Sequence, residues 1–275
     1  MFIFFILFSS VLSHDTTQIE ELYLIQPYVN AKGDSKLVNL QGDYSIVSHG
    51  GDQHIKLSHM SKDTRGALVY KQHINKDRFQ VEFKIAMEDL KVGEEGSGML
   101  IFFSDTENIE LGAFYGIKTG FEGLCIAFDI SEGYEVNVMV ATGKINAVPG
   151  MNNKMFSTKN HYTFYDNDQV SVKVIQSDEG LRVVLFDDYE ELEAFKSKGY
   201  FINKKSFIGV SACNGSKSEA SFTVRSIEPS ALTQIPVYFE KGERESSSKI
   251  IWVVFLMGAC GIVYYLYDTQ IKKAL

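Results

Sequence analysis

Few residues in this 275-residue chain have the type and spacing that chemistry requires. Among the acids, Asp129, Glu132 and Glu135 follow the apolar run LCIAF, and Glu82 stands alone among apolar neighbours in FQVEFKIAM. Glycoside hydrolysis needs two carboxylates about 5–9 Å apart, which on one strand means acids spaced by two or four. Asp129 and Glu132, three apart, would face different ways. The histidines, His14, His49, His54, His59, His73 and His161, form no H-E-x-x-H or other paired spacing, and neither G-x-S-x-G nor a P-loop occurs. They are expected at the surface or in turns, with His49 and His54, which flank GGDQ, placed to titrate between compartments of different pH. Cys125 and Cys213 belong to no C-x-x-C pair, which argues against metal ligation. They leave open one disulfide or two buried thiols, the second being preferred. The tripeptide Asn214-Gly215-Ser216 is the chain's only acceptor for N-glycosylation, although the same residues also make an ordinary turn. The chain is not expected to be an enzyme.

Strands must position these groups. Phe79, Val81, Phe83 and Ile85 alternate with Gln80, Glu82 and Lys84, the period-two sign of a half-buried strand. The same alternation recurs in EVNVMV, VSVKV and SFTV. MLIFF and LCIAF are continuous apolar runs, as expected of strands covered on both faces. Gly, Asn and Asp clusters such as GEEGSG and GMNN separate them. Only YEELEAFKSKG reads as a short helix. The pattern predicts an all-β fold of two antiparallel sheets packed face to face as a sandwich.

Two apolar runs bracket that domain. Residues 1–13, MFIFFILFSSVLS, place Val11 and Ser13 at the small-residue positions of a cleavage point before His14 and read as a signal peptide. Residues 250–267 carry no charge and cover roughly 27 Å as a helix, close to the thickness of a thin bilayer. Trp252 at one end and Tyr264, Tyr265 and Tyr267 at the other suit membrane interfaces. This predicts one transmembrane helix after the sandwich, with residues 14–229 in the lumen, a stalk at 230–249 and a cytosolic tail at 268–275. Lys272 and Lys273, fourth and third from the end, then match a dilysine retrieval signal read by the retrograde coat. The net charge of −8 and the dispersed Lys and Arg residues argue against a nucleic-acid partner.

At GSGMLIFFSD and LGAFYGIKTGFEGLCIAFDI the pattern becomes more specific. Gly96, Gly98, Phe102, Gly112, Phe114, Gly116, Phe121, Gly123, Leu124, Ile126 and Asp129 fit one frame, flanked by RGALVYKQ upstream and FIGVSACNG downstream. In that frame the chain resembles the L-type, legume-lectin-like cargo receptors of the early secretory pathway, from about Leu37 to Pro229. The resemblance implies a concanavalin-like jelly roll and a mannose site beside calcium, which takes several hard oxygen ligands. It places ligand-binding positions at Ser97, Asp129, Gly133, Asn214, Gly215 and Ser216. Three of them depart from the family pattern: Ser97 replaces an aspartate, Gly133 an asparagine and Ser216 an aspartate. Asp129 alone remains as a metal carboxylate, with Glu132 and Glu135 as substitutes. One carboxylate and a hydroxyl make a poor calcium cage, so no cofactor is expected. The late disulfide and coiled-coil stalk of some members are missing.

The resemblance and the topology together imply a type I receptor cycling between endoplasmic reticulum and Golgi. Its partners would be secretory glycoproteins, recognised through sugar or polypeptide at the loops around Ser97, Phe114 and Asn214. The alternative is a lectin-like scaffold resident in the endoplasmic reticulum that binds no sugar.

Overall fold

The period-two segments do form strands, and they stack in two layers. The computed structural model describes residues 16–30, 33–49, 51–88, 90, 97–132, 135–146, 156–163, 169–187, 191–216 and 220–232. In chain order the strands are β1 Thr16–Gln18, β2 Val38–Gly42, β3 Ser45–His49, β4 Asp52–Ser58, β5 Arg65–His73 and β6 Phe79–Glu88. Then come β7 Gly98–Ser104, β8 Leu111–Gly112, β9 Gly116–Ile117, β10 Phe121–Glu132, β11 Glu135–Ile145 and β12 Thr158–Thr163. The series closes with β13 Gln169–Ser177, β14 Gly180–Phe186, β15 Glu191–Ser197, β16 Phe207–Cys213 and β17 Ser221–Leu232. One sheet runs β15-β14-β13-β6-β17-β4-β3, with β1 added alongside β17, and the other runs β12-β11-β10-β7-β16-β5-β2. The ladders are antiparallel, as in the bridge of β6 to β13 and of β7 to β10.

Between the sheets lies the main core. Phe79, Val81, Phe83 and Ile85 of β6 are fully buried there, while Gln80, Glu82 and Lys84 turn outward. Phe103 from the facing sheet meets Phe79 at 6.1 Å and Phe83 edge-on at 6.1 Å. A second apolar layer covers the outer face of the seven-stranded sheet, formed by Leu100, Phe102, Cys125, Ala127, Met139 and Ala141 beneath Phe114, Tyr115, Ile117 and Phe121. That second layer is why β7 is buried at every position, and why MLIFF and LCIAF read as unbroken apolar runs.

The sequence reading of a helix at YEELEAFKSKG is overturned, because Glu191–Ser197 is the edge strand β15. Leu192 pairs with Leu185 and Phe195 with Val183, while the register slips between Val183 and Val184. The slip leaves Ala194 as an extra residue in a bulge, so that side chains three apart in sequence share the core face. This spacing imitates a helical period. At the other end, β17 runs three residues past Pro229 to Leu232, and the Pro229 carbonyl accepts a hydrogen bond from the Ile19 N–H at 3.0 Å.

The chain divides into two units, Met1–Ile235 and Pro236–Leu275. The second unit holds the expected transmembrane segment and the tail, and it lies outside the described residues, as do residues 1–13 and Gly133. Among the described residues no helix is long and apolar enough to cross a membrane.

Candidate ligand-recognition site

Strand register lines up a row of residues on the outer face of the seven-stranded sheet, at one end. His161 of β12 pairs with Asn137 of β11, which pairs with Asp129 of β10. Asp129 pairs with Gly98 of β7, Gly98 with Cys213 of β16, and Cys213 with Arg65 of β5. Cross-strand partners point to the same side of a sheet, so this row is a single strip across six strands.

The excursion between β7 and β10 folds over this face and brings Tyr115 onto the strip. The Tyr115 hydroxyl donates to Asp129 Oδ1 at 2.9 Å, and the Tyr115 carbonyl accepts from Ser211 Oγ at 2.8 Å. Tyr115 is 1 % exposed and takes a left-handed φ of 45°, a conformation that costs a non-glycine residue roughly 1–2 kcal/mol. Gly116 follows at φ 100°, and a Cβ there would lie 2.5 Å from the Ala212 carbonyl oxygen. Only glycine lets the excursion approach β16 this closely. Edge-on contact of Tyr115 with Phe114 at 5.1 Å, and stacking of Phe114 on Phe156 at 6.4 Å, complete the aromatic cover. Burial, then the neighbouring Asp129 carboxylate, hold the Tyr115 phenol well above its ordinary range, so it is a permanent donor.

The late loop joins the strip from the other side. Ser97 is fully buried; its Oγ accepts from the Gly215 N–H at 2.8 Å, and its carbonyl accepts from the Ile130 N–H at 3.1 Å. The structure brings Ser97, Asp129 and Gly215 to one end of β7, β10 and β16. Ser97, however, ties two loops together instead of facing solvent. Ser216 is exposed.

Asn214 has a different role from the glycan carrier considered above. It is 3 % exposed, and its Nδ2 lies 2.7 Å from the carbonyls of both His59 and Ala220, 3.2 Å from that of Ser61 and 3.4 Å from Thr64 Oγ1. Its backbone N–H donates to the Thr64 carbonyl at 2.8 Å. A glycan on Nδ2 is incompatible with these contacts, so in the folded domain Asn214 is a clamp between the 59–64 turn and Ala220, the residue before β17. Cys125 and Cys213 are buried thiols not joined in a disulfide, and burial pushes them up to about 12 and about 11. They are protonated and inert at neutral pH.

Calcium takes six to eight oxygens, and among the described residues Asp129 is the one carboxylate of the strip. Asp129 Oδ1 already accepts from Tyr115, and beside it the Asn137 side-chain oxygen is the one acceptor of the row buried without a donor. Among the described residues no three His, Cys, Asp or Glu side chains converge on a metal position. Tyr115, Ser211 and Asn137 escaped the sequence reading. Tyr115 stands in AFYG, where an aromatic residue before a glycine marks an unusual turn, but its target fourteen residues on is set only by the fold.

Two antiparallel sheets with a loop-covered outer face define a lectin-type jelly roll. The Legume-like lectin family model matches residues 15–235, and the chain belongs to that family. This places it among lectin-type binding proteins, not enzymes. The fold is shared with the VIP36 exoplasmic/lumenal domain in its Ca2+-bound form, at 18 % identity and a TM-score of 0.65 over 82 % of this chain and 96 % of that one. It is also shared with the potassium-bound Emp46p carbohydrate recognition domain, at 16 % identity and 0.62 over 78 % and 98 %. A legume lectin-like domain from Entamoeba histolytica aligns at 13 % identity and 0.57 over 76 % and 96 %. No curated protein sequence matches the chain.

Proposed function

We propose that this protein is a lectin-type cargo receptor of the early secretory pathway, anchored by one C-terminal transmembrane helix and returned to the endoplasmic reticulum by Lys272 and Lys273. The luminal domain takes secretory glycoproteins at the strip around Asp129 and the loop of Gly215 and Ser216. The carrying observation is the convergence of Ser97, Asp129 and Gly215 at one end of the seven-stranded sheet in a member of the legume-like lectin family. The apolar run at 250–267 and the paired lysines supply the anchor and the address.

The test follows the full-length chain in cells. With its own tail it is found in endoplasmic reticulum and Golgi membranes; with Lys272→Ser and Lys273→Ser it escapes to the cell surface, and its depletion delays export of a subset of N-glycosylated proteins. Retention in the endoplasmic reticulum after both replacements, with export unchanged, would instead establish a resident scaffold.

A further inference from the structure

We propose that the Tyr115 hydroxyl stands where a cation would be needed, ordering Asp129 and the overlying excursion so that the recognition end of the sheet is built without calcium. The inference concerns how the site is assembled and holds whichever cargo the site takes.

Three independent features converge on Tyr115. Its hydroxyl is aimed at the one carboxylate of the strip, at 2.9 Å. Its carbonyl is fixed by the buried Ser211 Oγ, which ties the excursion to β16. Its left-handed backbone at φ 45° is a strained geometry that persists only where surrounding contacts impose it. A bound cation orders a loop by collecting oxygens from several segments at one point. Here a phenol does the equivalent work with two bonds and a buried ring: the hydroxyl reaches β10, the carbonyl reaches β16, and the ring packs against Phe114. The second loop of the site is held in the same cation-free manner, by Ser97 Oγ accepting from the Gly215 N–H. The VIP36 domain is known in both Ca2+-bound and metal-free forms.

The proposal is tested on the full-length protein in detergent with three variants, Tyr115→Phe, Asp129→Ala and the double substitution. Tyr115→Phe keeps the ring and removes only the hydroxyl, so it is expected to fold. The readout is amide exchange across residues 111–117 together with the thermal midpoint. Each single variant should speed exchange about tenfold, the scale of one hydrogen bond to a charged group. The double variant should be no faster than the faster single one, because both remove the same bond. Millimolar calcium and a chelator should leave the wild-type midpoint within about 1 °C of each other, whereas a filled cation site shifts it by several degrees. Additive effects of the two single variants would overturn the proposal, and so would a calcium-dependent rise in the wild-type midpoint. Failure of a glycan to bind touches neither readout and bears only on the proposed function.

Discussion

The two sheets of the sandwich turn very different outer faces to their surroundings. The eight-stranded sheet shows a ladder of paired charges: Lys173 to Glu82 at 3.4 Å, Lys84 to Glu228 at 2.8 Å, Lys56 to Glu88 at 3.1 Å, and Arg182 to Glu193. The seven-stranded sheet shows Leu100, Phe102, Ala127 and Met139, covered by an excursion of its own chain. Partly exposed ion pairs keep water at the surface and each contributes little. A covered apolar face excludes water, so the few polar groups at its border, Asp129, Tyr115, Ser97 and Asn214, acquire fixed partners. The contrast separates a solvated back from a covered, preorganised face, and substitutions on the two faces should differ accordingly.

The largest effect belongs to the covered face. The Phe102 ring packs against Phe121 at 5.8 Å and lies over Gly209, where an added Cβ would sit 2.0 Å from the ring. Phe102→Ala should cost about 3–5 kcal/mol in chemical denaturation. Gly209→Ala should also destabilise, because the ring has to move. A cost below about 1 kcal/mol for Phe102→Ala would mean that the excursion is not packed as described. Asn214→Ala comes next, at about 1–3 kcal/mol, since it strands buried carbonyls that now have a donor. In parallel, glycosidase treatment of the protein expressed in a secretory host should leave its gel mobility unchanged. A shift that disappears with Asn214→Gln would show that Nδ2 does not act as the clamp.

The smallest effect is on the back. Glu228 accepts from Tyr23 at 2.9 Å and from Ser226 at 2.6 Å and pairs with Lys84. Burial alone would raise its carboxyl, yet hydrogen bonds from Lys84, Ser226 and Tyr23 outweigh it and leave the pKa lowered from 4.5. A lowered folded value means stability present above the unfolded pKa and lost as pH falls through the folded one. Glu228→Gln should therefore cost about 0.5 kcal/mol near neutral pH, less in high salt, and converge with wild type in acid. A gap that widens below pH 4.5 would reverse the assignment.

The same contrast explains what the sequence made legible. Strand periodicity and the two-sheet class follow from local patterns such as Phe79 to Ile85, because a half-buried strand records its burial in every second residue. At β15 the local pattern misleads, since the bulge at Ala194 puts Leu192 and Phe195 on one face at a helical spacing. Asp129 and Ser97 were visible as family positions, but their partners were not. Tyr115 finds Asp129 through a backbone excursion, and Asn214 finds His59 and Ser61 more than 150 residues away. Non-local partnerships of this kind leave no spacing in the chain. The pairing of Lys173 with Glu82 across β13 and β6 is hidden for the same reason.

The proposed recognition face is a lectin-type site organised by its own side chains. The most direct measurement is calorimetric titration of the full-length protein in detergent with a high-mannose oligosaccharide, in calcium and again in chelator, for wild type and Asp129→Ala. The expected result is the same binding heat in both conditions and its loss in the variant. Heat that arises only in calcium, or that survives Asp129→Ala unchanged, would overturn the proposed site.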